Sequence, residues 1–485
     1  MDRAKIVKKI VFDVPMKTLT PLRISSGVDD GITDILVLKD KSGKAFIPGT
    51  SVAGVLRTEF AKIYRENENV EKKLFGSIKD EQNKIDENSI NQSMINISDI
   101  VLENAVVINR DGIKIDPVTG VSVIGAKYDF EAIDKGASGN LQIEITIRQN
   151  DLDNKPNISY KHDNFAVDGD VYSEIAAMLA DILTSGISVG ALTTKGFGRI
   201  ASAEPVQFMV FDFAKQKDAA ALWLKYLNGE KMKATYTGKK IGETLAVDDF
   251  VMNMDFALKS TVIIRDYDVN EDMKDDDNKD NKILAVQMKS GSEYVIPGTS
   301  VKGVLKSRGY NILMQLKNNN EMAVNAFLDD FMGREKGKHG DDDNGAKGRL
   351  YVDEVYIKPA QVRTMKQTRN RIDRFTGGTI ESSLFTDEPI YQIEESMPVV
   401  SMRLKIKDCK NEAQAGLMLL LLKDLWLGNL AIGGNKAIGR GVLCGRKCTI
   451  DYNGNSFVIE DNGKFTVKGD MNVLESYVQK LVNGD

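Results

Sequence analysis

Aspartate is the side chain this sequence supplies best for chemistry. Only two histidines occur, His162 and His339, in unrelated surroundings, so the paired imidazole acid and base of many metal-free ribonucleases is hard to assemble. Asp29, Asp30 and Asp34 gather just before Ile35-Leu36-Val37-Leu38. A second acidic segment runs from Asp266 to Asp280, with eight acids in fifteen residues, ahead of a similar apolar run. Aligning Ile35-Leu36 with Ile283-Leu284 sets Asp34 opposite Lys282, with Asp280 two residues earlier. Solvated loops account for most of these acids. A calcium loop opening at Asp266 is disfavoured, because Glu271 stands where glycine is needed.

The other chemical resource is backbone N–H set beside basic side chains. Ile47-Pro48-Gly49-Thr50-Ser51 runs into the helical series Val52, Val55, Leu56. Proline stops strand pairing and glycine permits positive φ, so free N–H groups at the helix start suit an anion. Thr50 is expected as the N-cap, with Ser51 and Arg57 close by. The glycine-rich loop from Gly190 to Arg199 contributes Lys195 and Arg199. Gly-x-x-x-x-Gly-Lys-Ser/Thr is absent, so this loop is no nucleoside-triphosphate cradle and suits a chain of phosphates better. Lys358 to Ile372 holds Lys358, Arg363, Lys366, Arg369 and Arg371 and no acid. Phosphate contact is the favoured role for that face, and plain solvation the alternative.

Each of these blocks occurs twice. The turn and helix return as Ile296-Pro297-Gly298-Thr299-Ser300-Val301-Lys302-Gly303-Val304-Leu305-Lys306, adding Ser300, Lys302 and Lys306, with Thr299 as the expected N-cap. Gly433 to Arg440 answers the glycine-rich loop and adds Lys436 and Arg440. Ile115-Asp116-x-x-Thr119-Gly120 returns as Ile372-Asp373-x-x-Thr376-Gly377. Blocks repeated in one order at so long a period report a duplicated domain. Hydrophobic periodicity gives each half the order β-α-β-β-α-β, the split arrangement of ferredoxin-like α+β domains. The expected division is a first domain over 1–213, a Lys- and Ala-rich linker over 214–245, a second domain over 246–448, and a hairpin with helix over 449–485. Asp-x-x-Thr-Gly is expected to open polar excursions over 116–135 and 373–388.

Composition bounds the rest. With 485 residues, 42% of them hydrophobic, the chain can bury two full cores. Its longest apolar run, Ala415 to Leu422, falls far short of the roughly 20 residues that cross a bilayer, so neither a membrane span nor a signal peptide is expected. Cys409, Cys444 and Cys448 lack metal-site spacing and point to free thiols in a reducing, cytoplasmic setting. A net charge of −5 argues against a protein that coats nucleic acid, yet the total averages over unlike faces.

Taken in order, these blocks resemble the RAMP superfamily, and within it the backbone subunits of type III CRISPR effector complexes, fused in tandem as in type III-D systems. The matching pieces are Ile-Pro-Gly-x-Ser-x-x-Gly-x-Leu-Arg/Lys, the Phe75-Gly76 and Met332-Gly333 that end its helix, the strands at Asp99 and Asp353, Asp-x-x-Thr-Gly, and the terminal Gly-x-Gly-Arg loop. The resemblance implies an RNA-recognition-like palm for guide RNA, contacted by Ser51, Arg57, Lys195, Arg199, Ser300, Lys302, Lys306, Arg363, Lys366, Arg369, Arg371, Lys436 and Arg440. It implies thumb hairpins, marked by Asp116, Thr119, Asp373 and Thr376, that wedge into a guide–target duplex. A loop aspartate, Asp34, would hold a divalent cation such as Mg²⁺ or Mn²⁺ and cut target RNA through the target's own 2′-hydroxyl; Asp280 is its candidate in the second half. Ala53 departs from the pattern where the second half keeps Lys302. Guide RNA, target RNA and other CRISPR effector subunits are the implied partners. An inactive structural backbone is the competing role, and a guide-processing endoribonuclease is disfavoured by the scarcity of histidine.

Overall fold

The computed structural model describes residues 3–27, 34–63, 68–76, 92–153, 170–240, 247–268, 284–334 and 345–483. Two compact units emerge: Met1–Asp111 with Asp129–Thr193 and Phe197–Thr244, and Gly112–Tyr128 with Thr194–Gly196 and Leu245–Asp485. Among the described residues no helix is long and apolar enough to cross a membrane.

Alternation builds the first sheet. In the strand Ile6–Thr18, Phe12, Val14 and Met16 are buried while Asp13, Pro15 and Lys17 face out, the period of a strand with one face on a core. This strand lies between Ser138–Arg148 on one side and Gln207–Asp212 with Arg199–Ser202 on the other, and Ser138–Arg148 pairs outward with Ile95–Ile97. The second sheet repeats the plan. Phe250–Leu258 lies between Val400–Ile406 and Leu443–Tyr452, and Val400–Ile406 pairs outward with Leu350–Val352. Counted within each repeat, both sheets run fourth, first, third, second strand, all antiparallel. The chain is thus two tandem ferredoxin-like α+β domains.

Helices Gly49–Ile63 and Val171–Ser185 cover one face of the first sheet, and Gly298–Leu316 and Glu412–Trp426 one face of the second. Val171–Ser185 is buried along nearly its whole length, and its small Ala176, Ala177 and Ala180 let it sit close. Each Leu, Ile or Phe withdrawn from water in these layers contributes about 1.5–3 kcal/mol.

Three local expectations are corrected. Neither Thr50 nor Thr299 is an N-cap: the helices begin at Gly49 and Gly298, and Pro297 is the cap residue, extended at φ −61° and ψ 140°. Proline suits this place because a cap needs no N–H to donate. In the first repeat the Gly49 N–H is taken by Asp99 Oδ1 at 2.7 Å, so a protein carboxylate sits at that helix start.

The segment expected as a linker is built into the first unit. Helix Ala219–Leu227 sets Trp223 against Phe211 at 5.2 Å, Tyr236–Thr237 extends the sheet from Gln207–Asp212, and the Tyr236 hydroxyl donates to buried Asp181 at 3.0 Å. Its Lys and Ala content is that of a surface helix, with aromatic side chains as the anchors. At the C-terminus Asn455–Asp461 and Phe465–Lys468 widen the second sheet, and Met471–Asn483 packs so tightly on Glu412–Trp426 that a side chain at Gly416 would strike the Tyr477 carbonyl.

The third correction concerns the excursions. Val107–Ile115 with Ser122–Ile133 forms one hairpin, and Gln367–Ile372 with Thr379–Glu388 another, so both begin well before Asp116 and Asp373. Charged residues such as Arg110, Lys114, Arg369 and Arg371 interrupt apolar alternation in the ascending strands and hide them from periodicity.

Candidate nucleic-acid interface

Asp-x-x-Thr-Gly forms the tip of each hairpin. Asp116 Oδ1 accepts from the N–H of Val118 (2.9 Å), the N–H of Thr119 (2.7 Å) and the Thr119 hydroxyl (3.0 Å). Asp373 Oδ1 repeats this with Phe375 (3.0 Å), Thr376 (2.8 Å) and the Thr376 hydroxyl (3.0 Å). Such a turn needs a short carboxylate that can bond two residues ahead. The N–H of Thr119 and of Thr376 hold these carboxyls below the ordinary aspartate range. Each tip carries an exposed apolar residue, Val118 in the first and Phe375, 99% exposed, in the second.

Asp34 lies at the base of the first hairpin. Ile35 bridges in parallel to Phe130, and the Glu131 N–H donates to the Ile35 carbonyl at 2.9 Å. Asp34 itself is exposed, and its Oδ2 accepts the Asp129 N–H at 3.0 Å while its own N–H donates to Asp129 Oδ1 at 3.4 Å. The second repeat makes the same parallel contact between Ala285 and Asp387. Leu38 donates to Ile24 as Met288 donates to Ile264, which sets the same correspondence.

Hence Ile35 matches Ala285, and Asp34 matches Leu284 rather than Lys282. The string Ile-Leu misplaces the register by two residues, because a local match ignores where a lengthened loop takes up its extra chain. Thr386 holds the place of Asp129, and its hydroxyl faces that of Thr368 at 3.1 Å. Asp280 and Lys282 lie outside the described residues. Among the described residues no three His, Cys, Asp or Glu side chains gather as a metal site. The exposed Asp34 carboxylate nonetheless suits Mg²⁺, which binds through one or two carboxylates together with phosphates.

A second change of register affects the glycine-rich loops. Val189 donates to Gly198 and Gly198 to Pro21, as Ile432 donates to Gly441 and Gly441 to Thr261. Gly198 and Gly441 take φ of +84° and +76°, and a Cβ at either would collide with the Val189 or Ile432 carbonyl. Arg440 therefore corresponds to Phe197, and not to Arg199. Phe197 packs on Phe130 with ring centroids 6.0 Å apart. Arg440, 2% exposed, instead donates to Asp387 Oδ1 at 2.7 Å and to Gln367, and Arg369 pairs with the other Asp387 oxygen. Burial works against charge on Asp387, but the two guanidinium groups prevail and hold its carboxyl below the usual range.

The remaining expected contacts divide by what they already touch. Ser51 and Ser300 are half-buried in the first turn of their helices, donating backbone N–H to Pro48 and Pro297 at 2.9 Å. Arg57 pairs with Glu71 and lines a cleft of about 280 Å³ with Gly49, Thr50, Ala53 and Phe75. Lys302 is buried and donates to the Leu350 carbonyl at 2.7 Å; burial, then neighbouring lysine charges, push its pKa down to about 7. Lys306 reaches the Gly333 carbonyl at 3.1 Å and Asp329 at 3.4 Å. Lys195 is half-buried at the end of the short turn Thr193–Lys195, and Arg199 is exposed with Nη2 on the Ser185 carbonyl at 3.2 Å. Arg363, Lys366, Arg371 and Lys436 are exposed. Arg371 lies on Gln367–Ile372, the ascending strand of the second hairpin, Lys366 just ahead of it, and Arg363 on Val362–Thr364, which pairs with Ile390–Gln392.

The description RAMP superfamily comes from a family model that matches residues 16–201 and, a second time, residues 259–444. The chain belongs to the RAMP superfamily. One RAMP domain corresponds to each ferredoxin-like repeat, and the family's character is that of CRISPR-associated RNA-binding subunits. Comparison with curated proteins gives no match.

Proposed function

We propose that this RAMP protein is a guide-RNA-binding backbone subunit of a type III CRISPR effector complex, and that its first repeat cuts target RNA at Asp34. The observation that carries this is the contrast at the hairpin bases. The first repeat offers an exposed carboxylate held by strand backbone at 3.0 Å, where the second has Leu284 and Thr386. Exposed cations along the second hairpin and the glycine-rich loops support contact with guide phosphates, which carry no base code. The second repeat then serves as scaffold.

Cleavage would proceed by attack of the target's 2′-hydroxyl on the adjacent phosphate. The hairpins would kink the target and bring nucleophile and leaving group into line, and positioning of that kind supplies much of the rate. Asp34 would hold a divalent cation, which when bound eases charge developing on the phosphate. Guide RNA, target RNA and further effector subunits are the partners, in the cytoplasm. The deciding experiment maps target cuts by the assembled complex. Asp34→Ala is expected to lower one Mg²⁺-dependent cut by about a hundredfold or more while target binding is kept. Asp280→Ala leaves the products unchanged. If every cut survives Asp34→Ala, the assignment fails.

A further inference from the structure

We infer that Asp129 is a positioning residue for Asp34, coupling the seating of the first hairpin to the orientation of the cleaving carboxylate. The inference rests on the assignment of Asp34 made above. Asp129 lies on Ser122–Ile133, the return strand of the hairpin, and the three residues from Asp129 to Glu131 carry the segment that holds Asp34. The Asp129 N–H binds Asp34 Oδ2 at 3.0 Å, the Glu131 N–H binds the Ile35 carbonyl at 2.9 Å, and the Val37 N–H binds Glu131 Oε2 at 2.9 Å. The Asp129 carboxylate completes the set by accepting the Asp34 N–H at 3.4 Å. Phe130, between them, is fixed from two sides, by the Arg23 guanidinium 4.5 Å from its ring centre and by Phe197.

The strand therefore fixes Asp34 through both its backbone and its carboxylate. One carboxylate oxygen is held by a backbone donor, and the main chain of Asp34 is held by a side-chain acceptor. An exposed loop aspartate without the second contact keeps its charge but loses its fixed direction, which lowers rate without lowering substrate affinity. Since the holding atoms belong to a strand whose far end is the hairpin tip, a duplex that seats the hairpin also sets Asp34. The second repeat has Thr386 at this position, turned to Thr368, and no carboxylate at Leu284 to hold.

The test compares Asp129→Ala, Asp129→Asn and Asp34→Ala in the full chain assembled with guide, measuring target affinity, the cleavage rate at saturating target, and thermal stability. Asp129→Ala is expected to slow the Asp34-dependent cut about tenfold at unchanged target affinity. Asp129→Asn is expected to restore most of that rate, because its amide oxygen still accepts the Asp34 N–H. A wild-type rate in Asp129→Ala, with the cut lost in Asp34→Ala, overturns this inference alone. Equal defects in Asp129→Ala and Asp129→Asn also overturn it, since charge and not the hydrogen bond would then carry the role. Survival of the cut in Asp34→Ala overturns the Asp34 assignment and this inference with it.

Discussion

Arg440 Nη2 lies 2.7 Å from Asp387 Oδ1, and this buried ion pair holds the place that Phe197 and Phe130 fill in the first repeat. One fold thus closes the base of its hairpin by two different means. An aromatic pair tolerates loss of either ring as a cavity, whereas an ion pair that loses one partner leaves a charge buried with nothing to compensate it. Asp387 is the sensitive member, since Arg369 and Arg440 both depend on it and Asn435 donates to it at 3.1 Å.

Asp387→Ala is accordingly expected to destabilise the second unit by about 3 kcal/mol, whereas replacing Asp387 and Arg440 together by Leu and Met is expected to cost much less. Denaturant unfolding of the single and double variants checks this. A double variant weaker than Asp387→Ala contradicts it.

Lys302 makes stability depend on pH in the sense opposite to an ion-paired lysine. Its pKa falls from 10.5 to about 7 in the folded protein, burial being the first cause. Between those values the unfolded chain holds the proton and the folded chain does not, so stability rises with pH through that window and is lowest at and below pH 7. The slope for one proton is about 1.4 kcal/mol per pH unit. Thermal melts between pH 7 and 9.5 are expected to show the rise, and Lys302→Met to abolish it.

Among the described residues the exposed cations Arg363, Lys366, Arg371 and Lys436 make no ion pair, unlike Arg369 and Arg440. Replacing each by Ala is expected to weaken guide binding equally for unrelated guide sequences, and to reduce the salt dependence of log Kd by about 0.7 per lost phosphate contact. Titrations at several salt concentrations measure it. A substitution that weakens binding for one sequence alone contradicts backbone contact.

The duplication, the ferredoxin-like strand order and both hairpin turns were legible because short strings carry them: Ile-Pro-Gly opens each helix, and Asp-x-x-Thr-Gly closes each turn. Register between the repeats was not, and the reason is physical. Hydrogen-bond register is kept while loop lengths drift, so identical dipeptides need not occupy equivalent places. Matching Gly198-Arg199 to Gly439-Arg440 follows identity. Matching Gly196-Phe197-Gly198 to Gly439-Arg440-Gly441 follows the backbone, and the second Gly-x-Gly was there to be counted from Gly190 and Gly433. Nothing in the local sequence marks Asp129, whose contact with Asp34 arises only where a strand meets a loop 95 residues away.

The bond from the Gly49 N–H to Asp99 bears on the order in which the chain folds. Its partners are 50 residues apart, so the start of Gly49–Ile63 is completed only after a long loop has closed. The body of that helix can form from local sequence, but its first turn has to wait for the arriving aspartate. Removing the carboxylate with Asp99→Ala is therefore expected to speed unfolding while leaving the refolding rate nearly unchanged, as stopped-flow measurement of both limbs would record. The turn that looks in sequence like the seed of its helix is then among the last parts of the domain to settle.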